Sequence, residues 1–213
     1  MLLLAAATEL ELKPLTDLLG QHNTYCHLIT GVGLLETAIT LTSFIGSTRG
    51  RTVSGVVNFG VAGGFHQTGV KLLDICLAEN ERLADLGICY GDRIEAFDSL
   101  DLPTFWEADR AMLSAASSAV YGSGLTSRKG SFISVNGVSG SDSRAEFFWK
   151  RFQPLCENME GAAVMRVCQQ FDLPCLEVRA ISNFVENRNP ASWKLEEAAV
   201  QCAKAVACIV ESL

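Results

Sequence analysis

Apolar positions along this chain follow two alternating rhythms. Continuous short runs, of the kind that fill strands buried on both faces, occupy Leu2–Ala7, Tyr25–Thr30, Val53–Phe59, Leu72–Glu79, Gly130–Asn136 and Cys175–Ser182. Between them, helical spacing predicts helices over Leu12–Leu19, Leu34–Ile45, Trp106–Tyr121, Ser143–Phe152 and Glu160–Phe171. A final helix carries apolar positions at Leu195, Ala198, Ala199, Cys202, Val206 and Ile209. Gly20 stops the first helix, and Pro14 fits it only if the helix starts close to Glu11, with the proline in its first turn. Gly31-Val32-Gly33 and Gly60-Val61-Ala62-Gly63-Gly64 read as turns, and the polar stretch Ala84–Pro103 as loops or short hairpin pieces. Strands alternating with helices predict an α/β domain. No repeat, low-complexity tract or linker interrupts residues 1–213, so a single domain is expected.

Composition narrows the class. Hydrophobic residues make up 48% and charged residues 19%, a balance that suits a well-buried enzyme-like domain and not a disordered chain. The formal charge of −7 argues against a nucleic-acid partner, which needs clustered Lys and Arg. His22, His27 and His66 show no ligand spacing, so no protein-bound metal is expected. The eight cysteines contain no C-x-x-C pair and mostly sit in apolar runs, which reads as reduced, buried thiols of a cytoplasmic protein. Met1–Ala7 lacks the basic leader of a signal peptide and reads as a buried first strand. No apolar run approaches the ~20 residues of a membrane span, so no membrane partner is expected.

Ligands of open α/β sheets bind beyond the carboxyl ends of strands, where Thr8–Glu11, Gly31–Gly33, Gly60–Gly64 and Ser182–Glu186 converge. Neither glycine turn completes a dinucleotide or phosphate-loop motif. Glu11 has two readings: a general acid/base facing a pocket, or the third helical position of a capping box begun by Thr8. Glu160, where a strand passes into a helix, either complements the helix dipole or accepts hydroxyl hydrogen bonds from a ribose. Asn183 either serves a turn or reads one edge of a heterocycle with its amide. Phe132 reads as a core residue, with base stacking as the alternative.

Taken in order, Ala6-Ala7-Thr8-Glu9-Leu10-Glu11, Gly31-Val32-Gly33, Asn58–Gly64, Asn158-Met159-Glu160-Gly161-Ala162-Ala163 and Val178–Ser182 resemble the methylthioadenosine/S-adenosylhomocysteine nucleosidases and their nucleoside phosphorylase relatives. The resemblance implies a three-layer αβα sandwich around a mixed sheet, a homodimer, and cleavage of the N-glycosidic bond of a small purine nucleoside without a cofactor. It puts Glu11 on the residue that deprotonates the attacking water, and Glu160, with Met159 beside it, on the ribose. It puts Phe132 and Ile133 at the purine, and Val61 and Gly63 beside the bound nucleoside.

One departure bears on the base. Adenine-specific members end the late strand with Ile-Ser-Asp, whereas this chain reads Ile181-Ser182-Asn183. An aspartate accepts from an amino group; an asparagine can donate to a 6-oxo group, which favours a hypoxanthine-type base. The run Asn183–Trp193 is similar to the futalosine hydrolases, a branch whose inosine-like substrate carries an aromatic carboxylate tail. Arg188 and Lys194 are the nearby candidates to meet that carboxylate. Phosphorolysis is disfavoured because no Lys or Arg lies in either glycine turn and Thr8–Glu11 is acidic. A catalytically silent nucleoside-binding protein remains a third reading, which a measured glycosidase rate would dismiss.

Overall fold

The structure is a computed structural model that describes residues 1–20, 24–48, 50–90, 93–97 and 99–213. Of the histidines weighed above, His22 lies outside these residues, and so do positions 91, 92 and 98 of the Ala84–Pro103 stretch.

The first half of the chain runs β1 (Leu2–Ala6), α1 (Glu9–Leu19), β2 (Tyr25–Ile29), α2 (Leu34–Gly46), β3 (Gly55–Gly64) and β4 (Ile75–Leu83). A small hairpin, β5 (Ile88–Tyr90) and β6 (Arg93–Glu95), precedes β7 (Phe105–Glu107) and α3 (Arg110–Gly122). Then come β8 (Ser127–Ser134), α4 (Asp142–Phe152), β9 (Cys156–Asn158), α5 (Gly161–Gln170), β10 (Cys175–Phe184) and α6 (Leu195–Val210).

A mixed sheet of eight strands forms the middle layer, in the order β10-β4-β8-β9-β3-β1-β2 with β7 on β4. Because β10 also pairs with β3, the strands β3, β10, β4, β8 and β9 close on one another. Alternation along β1 shows how the layers are built. Leu4 and Ala6 pack on one face with α1, α3 and α6; Leu3 and Ala5 pack on the other with α2 and α5. The fold class is therefore the expected one.

Several boundaries differ, each for a physical reason. The helix α1 begins at Glu9 with Thr8 as N-cap, so Pro14 lies in its interior and Leu10 loses an N–H partner there. Gly60–Gly64 is not a turn; it continues β3, paired residue by residue with β10 and, at Gly63 and Gly64, with β9. The strand expected at Leu72–Glu79 starts later and runs to Leu83 because β8 pairs with it over its whole length. The helix expected from Trp106 begins at Arg110, since Phe105–Glu107 is taken into the sheet beside β4. The strand expected at Gly130–Asn136 runs from Ser127 to Ser134. The strand β10 continues through Asn183 and Phe184 past a bulge at Ser182. Six of the eight cysteines are buried as free thiols, while Cys89 is exposed and Cys208 half-buried. No helix among the described residues is long and apolar enough to cross a membrane.

Candidate active site

The carboxyl ends of β1, β3, β9 and β10 open onto a cavity of ≈ 300 Å³. Glu11, Val61, Gly63, Met159, Glu160 and Asn183 all line it. Phe132 and Ile133 do not. Both are wholly buried: Phe132 packs with Ala62, Cys156 and Ile181, and Ile133 with Phe65 and Phe148. The wall that faces the cavity on that side is Val138–Ser139, six residues further along in each case. This corrects what the resemblance implies for Phe132 and Ile133, and it agrees with the reading of Phe132 as a core residue.

Glu11 both lines the cavity and closes the capping box. Its Oε2 accepts from the Thr8 backbone N–H (3.1 Å) and hydroxyl (2.8 Å), completing the capping box. Its Oε1 accepts from the Val61 N–H at 2.9 Å. This approach explains Gly60: a Cβ there would stand 2.2 Å from Glu11 Oε1. Burial raises the pKa of Glu11, opposed by the charge of Arg179 and by the Val61 and Thr8 hydrogen bonds.

Glu160 is the N-cap residue of α5, yet its side chain makes no capping bond. Asn158 Oδ1 caps instead, accepting from the N–H groups of Glu160 (3.0 Å) and Gly161 (2.8 Å). The Glu160 carboxylate accepts from the Gly33 N–H at 3.0 Å and from Arg179 Nη2 at 3.2 Å. Gly33 holds φ = 89°, a backbone that L side chains adopt only with strain.

Arg179, not singled out from the sequence, organises the floor. It is 1% exposed, donates to Glu177 through Nε (2.9 Å) and to the Val61 carbonyl (3.3 Å), and pairs with Glu160. Burial alone would lower its pKa, but Glu177, Glu160 and Glu11 outweigh that and keep it protonated. The signal was in the sequence: Glu177 and Arg179 stand two apart in an otherwise apolar strand, hence on one face.

Beneath them lies a further buried carboxyl, Glu81. Glu81 accepts from Ser134 Oγ and Asn158 Nδ2, both at 3.0 Å. Glu177 Oε2 has no conventional donor, and it converges with Glu81 Oε2 over Gly161, where an added Cβ would lie 2.4 and 2.5 Å from the two atoms. A proton on Glu81 satisfies both groups. Burial first, then the charge of Glu177, push the Glu81 pKa well up. Its folded pKa therefore exceeds the unfolded value of about 4.3. This term stabilises the fold fully below that pH and is lost as pH rises through the raised pKa, at up to about 1.4 kcal/mol per pH unit. Glu81→Gln keeps a neutral donor towards Glu177 and gives up the bond that the same oxygen accepts from Asn158 Nδ2. It is expected to leave the Tm below about pH 4.3 within a few degrees and to flatten the decline in stability that sets in above that pH, read by thermal unfolding across a pH series. Identical slopes for the variant and the wild type would contradict the shared proton.

Asn183 lies on β10 directly beside Gly63 of β3. Its Oδ1 accepts from the Ser182 hydroxyl (2.8 Å), and its Nδ2 donates to the Phe184 carbonyl (3.1 Å). A carbonyl can only accept, so the amide nitrogen must occupy that side. The nitrogen also lies on the Gly63 side, 3.2 Å from where a Cβ would stand, leaving one N–H for a ligand. At the rim, Trp193 lines the cavity and Arg188 stacks on it, Cζ 4.9 Å from the ring centre. His66 lies away from these groups, bonded to Glu186 at 3.0 Å and stacked on Phe184.

Comparison with known proteins gives a consistent picture. The family described as the phosphorylase superfamily matches residues 19–213. A 5'-methylthioadenosine/S-adenosylhomocysteine nucleosidase of Bacillus velezensis is 28% identical over 190 residues, 87% of this chain and 80% of its own. A futalosine hydrolase of Thermus thermophilus is 30% identical over 182 residues, 85% of this chain and 79% of its own. Among solved structures, a Helicobacter pylori 5'-methylthioadenosine/S-adenosylhomocysteine nucleosidase superposes with a TM-score of 0.88 at 24% identity, covering 100% of this chain and 98% of that one.

Proposed function

The chain belongs to the phosphorylase superfamily, and on that premise we propose that it hydrolyses the N-glycosidic bond of a 6-oxopurine nucleoside, futalosine, releasing hypoxanthine. It is an N-glycosyl hydrolase by its relatives; the choice of base rests on Asn183. With Oδ1 held by Ser182 and Nδ2 turned towards Gly63, the amide offers the cavity a donor, which a 6-oxo group accepts and a 6-amino group does not.

The geometry of the cavity supports the following roles. The Glu11 carboxylate takes a proton from the water that attacks the anomeric carbon, while Glu160 accepts from the ribose hydroxyls. Positive charge developing on the sugar is stabilised by these two carboxylates at the cavity floor. Water is preferred to phosphate as nucleophile. The one buried cation among the described residues, Arg179, is already committed to Glu177 and Glu160, so a phosphate would meet carboxylates without a counter-charge. Asn183 polarises the departing base by hydrogen bonding, and the base is then protonated from water.

The Trp193–Arg188 stack suits the aromatic carboxylate tail of futalosine, the ring against Trp193 and the carboxylate towards Arg188; Lys194 follows at the start of α6. The open face of α2 exposes Leu35 (71%) and Ile39 (54%) near the cavity-lining Val32, a surface that a second copy covers in the homodimer this reading includes.

Asn183→Asp tests the base assignment. It is expected to shift the ratio of kcat/KM for 6-oxo over 6-amino nucleosides towards the amino compound by about tenfold or more, the scale of one mismatched buried polar group. An unchanged ratio would refute the role of Asn183.

A further inference from the structure

Among the described residues, Glu157 is the one buried carboxylate of the cavity wall that the mechanism does not use. It is 5% exposed and stands on β9, facing Gly63 across an antiparallel pair. Gly63 in turn faces Asn183 across the parallel pair with β10. Glu157, Gly63 and Asn183 thus form one row across three adjacent strands, and residues paired in this way project from the same face of a sheet. Strands are spaced about 4.8 Å apart, so the outer Cα atoms stand roughly 10 Å apart. Between them the glycine contributes no side chain.

The Glu157 carboxylate is held in place without a cation. Ser139 donates to it twice, through its N–H to Oε1 (2.8 Å) and its hydroxyl to Oε2 (2.6 Å). No ion pair to Glu157 is present among the described residues. Each carboxylate oxygen keeps a further lone pair, so the group still offers an acceptor to the cavity. Burial raises its pKa, against the two Ser139 bonds and the more distant charge of Arg144.

We propose that Glu157 is a specificity-determining residue that accepts the ring N1–H of a 6-oxopurine seated over Gly63, with Asn183 donating to the neighbouring O6 edge. The inference rests on the nucleosidase reading above. A 6-oxopurine presents an N1–H donor beside an oxygen acceptor, which the acceptor of Glu157 and the donor of Asn183 complement. A 6-amino purine presents a bare N1 lone pair beside an amino donor, and both contacts become mismatched. The Asn183 amide is fixed by Ser182 and the Phe184 carbonyl, and an ionised carboxylate shows only acceptors. Glu157 therefore adds a second mismatch for adenine to the one that Asn183 presents.

The test is calorimetric titration of the intact protein with free hypoxanthine, 1-methylhypoxanthine and adenine. For the wild type, hypoxanthine is expected to bind at least tenfold tighter than either of the others, since methylation removes the N1–H and adenine never has it. Glu157→Gln supplies a donor as well as an acceptor and is expected to shrink the hypoxanthine-over-adenine ratio about tenfold, in protein whose circular dichroism matches the wild type. Equal wild-type affinity for hypoxanthine and 1-methylhypoxanthine overturns the proposal without requiring any variant to fold. An unchanged ratio in folded Glu157→Gln, with futalosine still cleaved by the wild type, removes Glu157 and leaves the proposed reaction standing. A wild type that prefers adenine and cleaves only 6-amino nucleosides overturns both.

Discussion

Replacing Glu11 by glutamine is expected to lower kcat by about 10²–10⁴-fold, the usual worth of a positioned general base, with the fold intact. The glutamine oxygen can still accept from the Thr8 backbone at the third helical position, so the cap survives, while its amide nitrogen gives up the Val61 N–H bond that Glu11 Oε1 accepts. It cannot take a proton from water. The near-isosteric amide also removes a carboxylate buried to 5% exposure, which limits any loss of stability to a few degrees in Tm. A pH signature accompanies the loss. The base must be ionised, and burial raises its pKa, so wild-type kcat/KM falls with decreasing pH through a midpoint above the ordinary glutamate value of about 4.3. The residual activity of Glu11→Gln should lack that limb. Steady-state rates across pH decide it: a variant as fast as the wild type would remove Glu11 from the chemistry.

The second large effect concerns stability. Arg179→Met deletes the only buried cation among the described residues while leaving Glu160, Glu177 and Glu11 around the vacated space. Removing one partner of a buried ion pair costs about 3–5 kcal/mol, because the stranded charge loses its compensation. For a chain of this length that corresponds to a fall in Tm of roughly 6–20 °C. The carboxylates left behind can relieve the cost by taking up protons. The deficit should therefore be larger at pH 8 than at pH 5, which thermal unfolding at the two pH values measures. Where the variant still folds, Glu160 has lost its anchor and KM for the nucleoside rises. A Tm equal to that of the wild type at pH 8 would contradict the central place given to Arg179.

The parts of this architecture that were legible in the sequence are those determined locally. The helix α6 declares itself because its buried positions, among them Ala198, Cys202, Val206 and Ile209, recur at helical spacing. Glu11 and Glu160 stand out because charges at strand ends are conspicuous, and the cavity does bring both together. What escaped depends on partners distant in the chain. Gly60–Gly64 carries the composition of a turn, but strand pairing on both sides of β3 overrides local preference. Its glycines serve approach: Gly60 admits the Glu11 carboxylate, and Gly63 leaves the gap beside Asn183. Phe105–Glu107 is masked by the helical rhythm that follows it until its pairing with β4 is seen. The resemblance puts the site wall on Phe132 and Ile133, whereas the pattern around Phe132 reads as core, and core is where both residues lie. The residues that face the cavity, Val138 and Ser139, lie in a loop of ordinary composition that signals nothing. Glu157 is equally silent in the sequence, since its meaning comes from a register with β3 that only the folded sheet displays.

The most direct test of the whole account is chromatographic measurement of purine release from futalosine, aminofutalosine, inosine and methylthioadenosine, each with and without phosphate. The account predicts rapid hypoxanthine release from futalosine at a rate that phosphate does not change, with slower cleavage of the other three. Preferential release of adenine, or a rate that depends on phosphate, would contradict it.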